Sequence, residues 1–302
     1  MNIFITGGTG FIGSDLTKSL LDEKHSVKIL TRKIPQDGQP SGSLSFVEGN
    51  STCEGEWMKQ LADSDVIVNL AGASIFKRWT KNYKHTLFNS RIKTTGNIIK
   101  ALSDREKADV LLISTSAVGY YGSHGDEEIY EDNSHGSDFL ASLSVEWENS
   151  AYEAKKLGAR VIVDRLGVVL GKTGGAFKMM KPLFQLWLGS SLGKGTQYFS
   201  WIHIKDLVKI FLWQIDKKDL TGPFNCTAPH PVRNRELTSA IASAMNKPLL
   251  LPPVPGFVLR LVMGEFSSVL LEGQNVVPRR LIDSGFHFQF REIEPALIDI
   301  LG

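Results

Sequence analysis

The stretch MNIFITGGTGFIGS at residues 1–14 decides the fold. Asn2 to Thr6 predicts a short buried strand, and Gly7, Gly10 and Gly13 mark the turn into a helix with apolar positions at Leu16, Leu20 and Leu21. A pyrophosphate reaches the N–H groups of a helix start only where residues lack a Cβ, so a strand, a glycine turn and a helix in this order suit a dinucleotide. The spacing is G-x-x-G-x-x-G rather than G-x-G-x-x-G. What separates it from an ordinary turn is the second strand at 25–31, which completes a βαβ unit.

Beyond that strand, Thr31, Arg32 and Lys33 stand where an acidic residue would hold a ribose 2′-hydroxyl. An arginine fork suits a 2′-phosphate instead, so the reading favours NADP over NAD; the alternative is a solvated basic strand end. Further strands are expected at 44–48, 65–70, 109–113 and 161–166, with helices at 83–102 and 139–157. The fourth strand ends at Leu70 in Ala71, Gly72 and Ala73, small residues that would let a cofactor pass over the strand tip. This alternation predicts an α/β fold with a doubly wound parallel sheet. The domain expectation is a nucleotide domain over 1–170, rejoined by 203–226, and a smaller C-terminal α+β substrate lobe over 171–302. A last strand is expected at 223–226, a helix at 235–245, and a strand at 286–290, where phenylalanines alternate with polar residues. The acidic segment 125–138 reads as a solvated loop.

The chain has 302 residues and a net charge of +2, with neither sign gathered in a long block. These features argue against nucleic-acid or membrane partners and for a small molecule. Cys53 and Cys226 are far apart without metal-ligand spacing, which suggests reduced thiols and no metal. A strand starting at residue 2 and the absence of a long apolar run predict a cytoplasmic protein, a mature organellar form being the alternative.

T-G-G-T-G-F-I-G from Thr6, N-L-A-G from Asn69, S-T-S-A-V-G-Y-Y-G from Ser114, R-L-G-V-V-L-G from Arg165 and S-W-I-H-I-K-D-L from Ser200 occur in that order. Together they resemble the extended short-chain dehydrogenase/reductase superfamily, of the nucleoside-diphosphate-sugar epimerase-like group. L-L-E-G-Q-N-V-V-P-R-R from Leu270 narrows the resemblance to the atypical "epimerase family protein" branch. It implies a Rossmann-type domain, an oxidoreductase or epimerase-like activity on a nucleotide-sugar, and a homodimer as the candidate assembly. It also implies cofactor contacts from Gly7, Gly10, Phe11, Ile12, Gly13, Thr31, Arg32, Leu70, Ala71, Gly72, Arg91 and Arg165.

In that family a Ser, a Tyr and a Lys pass a proton to substrate beside the nicotinamide. Ser116 matches the serine. The Tyr-x-x-x-Lys register falls on Leu140 and Ser144, or Phe139 and Leu143, and the accompanying Asn position on Arg91. Tyr152 and Lys156 spell the motif too late in their helix, as an exposed helix-end pair. Tyr120 and Tyr121, at the end of strand five, are the candidate replacements, one of which could instead pack beneath the cofactor. His203 is expected to have a structural role. A protein that kept the cofactor and lost turnover is the competing reading.

Overall fold

The computed structural model describes residues 1–35, 42–105 and 109–302. Strand β1 (Asn2–Thr6) leads through the glycine turn into α1 (Phe11–Asp22) and β2 (Ser26–Thr31). β3 (Leu44–Glu48), α2 (Trp57–Ala62), β4 (Val66–Asn69), α3 (Lys81–Ser103), β5 (Leu111–Ala117) and a short β6 (Glu128–Ile129) follow. Next come α4 (Phe139–Tyr152), β7 (Arg160–Leu166), β8 (Val168–Leu170), α5 (Gly175–Gln185), β9 (Tyr198–Phe199), β10 (Trp201–His203), α6 (Ile204–Asp216) and β11 (Gly222–Cys226). The chain ends with β12 (Val232–Arg233), α7 (Asn234–Ala244), α8 (Gly256–Met263), α9 (Ser267–Leu271), β13 (Asn275–Val276), α10 (Arg279–Asp283) and α11 (Ile293–Leu301).

Seven strands form one parallel sheet in the order β11-β7-β5-β4-β1-β2-β3. Alternation along each strand feeds two cores. Ile3, Ile5, Val27, Ile29, Val66 and Val68 face Leu16 and Leu20 of α1 and Leu207, Ile210 and Phe211 of α6. Phe4, Leu30, Ile67 and Leu112 face the other way, onto Trp57, Leu61, Ile98 and Ala151. A sheet covered on both faces needs apolar residues at successive positions, and β1 and β4 supply them. A third cluster joins Phe177 and Phe184 of α5 to Leu237 and Ile241 of α7 and Leu297 and Ile300 of α11. That cluster also takes in Leu170 of β8 and Trp201 of β10.

Two of the expected strands require correction. Residues 286–290 are not a strand: Phe286 and Phe288 both pack on the first core, and the N–H groups of Gln289 and Phe290 donate to the Asp206 carboxylate at 2.9 and 2.8 Å. A buried acceptor has replaced a strand partner. Strand β5 spans Leu111–Ala117 rather than 109–113, so Ser116 lies within the sheet, paired in register with Arg165.

Candidate functional site: a glycine cradle and a buried ion pair

At the carboxyl end of the sheet, Gly7 has φ +75°, and a Cβ there would come within 2.8 Å of the Leu70 carbonyl carbon. A Cβ on Gly13 would lie 2.4 Å from the Gly7 carbonyl oxygen. Gly10 is freer: its N–H donates to Gly7 O at 3.0 Å, and a Cβ would meet only that oxygen, at 3.2 Å. Gly10 is also the N-cap of α1, and no side chain caps the helix. The Phe11, Ile12 and Gly13 N–H groups therefore belong to a first turn that no side chain of its own satisfies, at the positive end of the helix dipole. The Phe11 ring turns the other way and packs on Gly171, Gly174 and Gly175, where Cβ atoms would fall within 2.5–2.9 Å of it.

The Leu70 carbonyl and the Ala71 N–H group close the other side of the turn, against Gly7. Thr31 Oγ1 donates to Lys33 O at 2.9 Å, and Arg32 and Lys33 are exposed just past β2. Arg91 reaches back from α3 beneath Gly72, where a Cβ would stand 3.2 Å from its guanidinium carbon. Its Nη1 donates to Leu87 O and its Nη2 to Ala73 O, both at 3.1 Å, while Trp147 lies 5.1 Å from the guanidinium. These partners are all neutral, and burial pulls the group down to about 10.

Further along the sheet, where β5 and β7 meet α4, lies a buried polar network. Arg165 binds the Glu148 carboxylate through Nε and Nη2, each at 2.8 Å, and Ser116 Oγ donates to the same carboxylate at 2.7 Å. All three residues are buried. Arg165 Nη1 donates to the Tyr121 hydroxyl at 2.8 Å, which in turn donates to Asn225 Oδ1 at 2.6 Å. The Tyr121 phenol is held well above its usual range, chiefly by burial. Glu131, in the segment expected to be solvated, is instead buried; it accepts from the Asn225 and Arg280 N–H groups at 3.1 and 3.2 Å, and burial raises its pKa. Asp126 in that segment is exposed, pairs with Arg233 at 2.9 Å, and borders an open cleft of about 430 Å³ shared with Tyr198 and Glu272.

Tyr120 and Tyr121, adjacent in sequence, have different environments. Tyr121 is fully inside. Tyr120 is half-buried, its ring 3.5 Å from the Arg165 guanidinium and edge-on to Tyr121 and His135. Leu140 stands against Gly119, whose Cβ would be 3.3 Å from the leucine Cβ, and Ser144 is buried one turn on. Leu140, Leu143 and Phe139 then join Trp79 and Phe266 in an apolar cluster, and Lys84 and Glu265 form an ion pair beside it. Tyr152 is half-buried rather than exposed; burial, then the Glu148 charge, pushes its phenol up to about 12. Lys156 is exposed and pairs with Glu153 at 2.6 Å. His203 caps α6, its Nδ1 accepting from the Lys205 N–H at 3.1 Å, and it stacks on Phe290 at 4.0 Å. Burial lowers its pKa to about 4, which makes it a neutral structural residue.

Sequence reading missed Glu148, Glu131 and Asn225. Glu148 did carry a signal: it lies four residues after Ser144, on the α4 face that also buries Ala141 and Ala151.

None of the described helices is long and apolar enough to cross a membrane. Residues 3–226 match the model of the NAD dependent epimerase/dehydratase family, and residues 254–300 that of a domain of unknown function, DUF1731. The chain is 39% identical over 304 residues to an Arabidopsis thaliana epimerase family protein, described as an SDR39U1 homolog, chloroplastic, covering 100% of this chain and 87% of that one. It is 39% identical over 300 residues to a Staphylococcus haemolyticus epimerase family protein, covering 98% of each. Among solved structures, the human epimerase family protein SDR39U1, isoform 2, crystallised with NADPH, superposes with a TM-score of 0.86 at 32% identity, over 99% of both chains. With the seven-stranded parallel sheet and the glycine cradle at its carboxyl edge, these matches establish that the chain belongs to the NAD-dependent epimerase/dehydratase family, in the nucleoside-diphosphate-sugar epimerase-like branch of the extended short-chain dehydrogenases/reductases.

Proposed function

We propose that this protein holds NADP(H) and lacks the Tyr–Lys proton relay of sugar-nucleotide epimerases, acting as a cofactor-dependent binding protein rather than as a UDP-sugar epimerase. The carrying observation is the combination of Leu140 and Ser144 on α4 with a Ser116 hydroxyl committed to the buried Glu148–Arg165 pair. The cradle fits the cofactor: Gly7 and Gly13 cannot bear side chains, and the uncapped α1 start offers its N–H groups to a pyrophosphate. Gly10, Phe11, Ile12 and Gly13 would hold the pyrophosphate, Thr31 and Arg32 the 2′-phosphate end, and Leu70, Ala71 and Gly72 the passage over the sheet. Arg91 would add positive charge beneath Gly72, and Arg165 would act indirectly by fixing β5 and β7. When bound, NADPH supplies a hydride. A substrate proton would have to come from this chain, and the wall beside Leu140 is apolar. The human relative crystallised with NADPH supports the choice of cofactor.

A second reading, slow hydride transfer with Tyr120 as proton donor, is favoured by the half-buried Tyr120 ring stacked on Arg165. A cytoplasmic location fits bacterial relatives of the same span. The test is calorimetry for NADPH, followed by chromatographic separation of epimeric products from UDP-sugars and by absorbance at the reduced-nicotinamide band with a carbonyl panel. Tight NADPH binding without turnover is the expected result. Rapid UDP-sugar epimerisation would overturn the main reading, and turnover abolished by Tyr120→Phe would establish the second.

A further inference from the structure

The C-terminal lobe exposes large apolar side chains close together. Leu186, Trp187 and Leu188, at the end of α5, are 66, 47 and 50% exposed, and Leu250 is 64% exposed. Hydrogen bonds set the two stretches side by side: Ser190 Oγ donates to Pro252 O at 2.6 Å, Val254 N to Ser191 O at 2.8 Å, and Gly193 N to Val254 O at 2.9 Å. Helix α8 begins two residues later and carries Phe257 and Leu261, 71 and 78% exposed, one turn apart on the same face. Scattered exposed leucines need no explanation; a run of this size in one region does.

Charge identifies the partner. There is no Asp or Glu between Asp164 and Asp206, or between Glu236 and Glu265, and these two segments build the patch. They contribute Lys178 and Lys181 on α5, Arg260 on α8, and Lys247, whose ammonium lies 5.1 Å from the centre of the Trp187 ring. The near-neutral charge of the whole chain conceals this local excess. Trp187 itself has φ +64°, an uncommon backbone state for a bulky residue, and it leaves the indole half exposed beneath a cation. Exposed acids lie at its border, where Glu272 follows the Leu271 that packs on Gly193 and Gly256, and where Glu265 beyond α8 pairs with Lys84. Tryptophan, leucine and phenylalanine beside an excess of lysine and arginine is the composition of surfaces that settle into the headgroup layer of anionic bilayers. An interface with a second copy would set the Lys178, Lys181 and Arg260 charges against one another, since a two-fold contact pairs the same patch with itself.

We propose that this face of the C-terminal lobe docks on an anionic lipid bilayer, with the leucine, tryptophan and phenylalanine side chains entering the headgroup boundary and the lysines holding phosphate charge. The protein lies on the membrane and does not span it. The inference stands apart from the cofactor site, whose residues it does not use.

The test is flotation of the full chain with vesicles of phosphatidylcholine alone and of phosphatidylcholine with about a third phosphatidylglycerol, at low and at physiological salt. Binding is expected to the anionic vesicles and to weaken with salt, with little binding to the neutral ones. Leu250→Asp with Phe257→Asp should abolish it, and Lys178→Ala should weaken it about five-fold. All these side chains are exposed, and NADPH affinity and melting temperature should match the parent. Absence of flotation with anionic vesicles overturns the proposal, as does undiminished flotation of the double variant. A dimer in sedimentation equilibrium that the double variant dissolves, without vesicle binding, would assign the patch to a second copy and overturn it equally.

Discussion

The Arg165 guanidinium grips the Glu148 carboxylate with two parallel hydrogen bonds of 2.8 Å, in a pocket where both side chains are 4% exposed. Breaking a buried pair on one side leaves a lone charge in low dielectric, which costs about 3–5 kcal/mol. Glu148→Ala should therefore lower the unfolding free energy by about that amount, read as a shift in urea midpoint. A loss below ~1 kcal/mol would mean that water reaches the pair.

Cofactor preference should rest on Arg32. An arginine–phosphate hydrogen bond contributes about 1.5–3 kcal/mol, so calorimetry should give NADPH at least ~10-fold tighter binding than NADH. Arg32→Ala should erase most of that margin and leave NADH almost unchanged. Equal affinities in the parent would remove Arg32 from the site.

The glycine turn gives a graded prediction. Gly13→Ala puts a methyl 2.4 Å from a backbone oxygen and should abolish NADPH binding, whereas Gly10→Ala meets a single atom at 3.2 Å and should be the milder change. Isothermal titration of both variants orders them; the reverse order would relocate the phosphate turn.

A pH dependence follows from Asp164. It is wholly buried, accepts from Gln214 Nε2 at 2.7 Å, and burial pushes its pKa up to about 7 from an ordinary 3.8. The folded state prefers the protonated acid, so the group favours folding most below pH 3.8, and that contribution is lost as pH rises to about 7. Asp164→Asn should melt higher than the parent at pH 8, with the gap closing toward pH 4. His203, lowered to about 4, works oppositely: its contribution is full above 6.5 and lost as pH falls toward 4. A gap for Asp164→Asn that does not change with pH would show that the acid does not titrate in this range.

The sheet was readable because runs of β-branched and aromatic residues separated by helical periodicity have one good use in a chain of this length, and the turn from β1 into α1 because its glycines stand between a strand and a helix. The buried network was not. Glu148 looks like any helix-surface glutamate until α4 is laid on β5 and β7, and Glu131 lies in an acidic stretch whose other members do face water. Tyr120 and Tyr121 are indistinguishable in sequence; only the 3₁₀ turn at 118–121 sends one into the core and leaves the other half outside. Phe286 and Phe288 mimic a strand because alternation records which side chains are buried, not what the backbone binds.

Phe11 has a wider consequence. The residue that opens α1 presses its ring on Gly171, Gly174 and Gly175, where the chain enters α5. The helix start behind the glycine turn is thus tied through one side chain to the segment that leads into α5. Such a contact couples its two ends equally in both directions. A smaller side chain at Phe11 would therefore loosen residues 171–175 as well as the turn that precedes it.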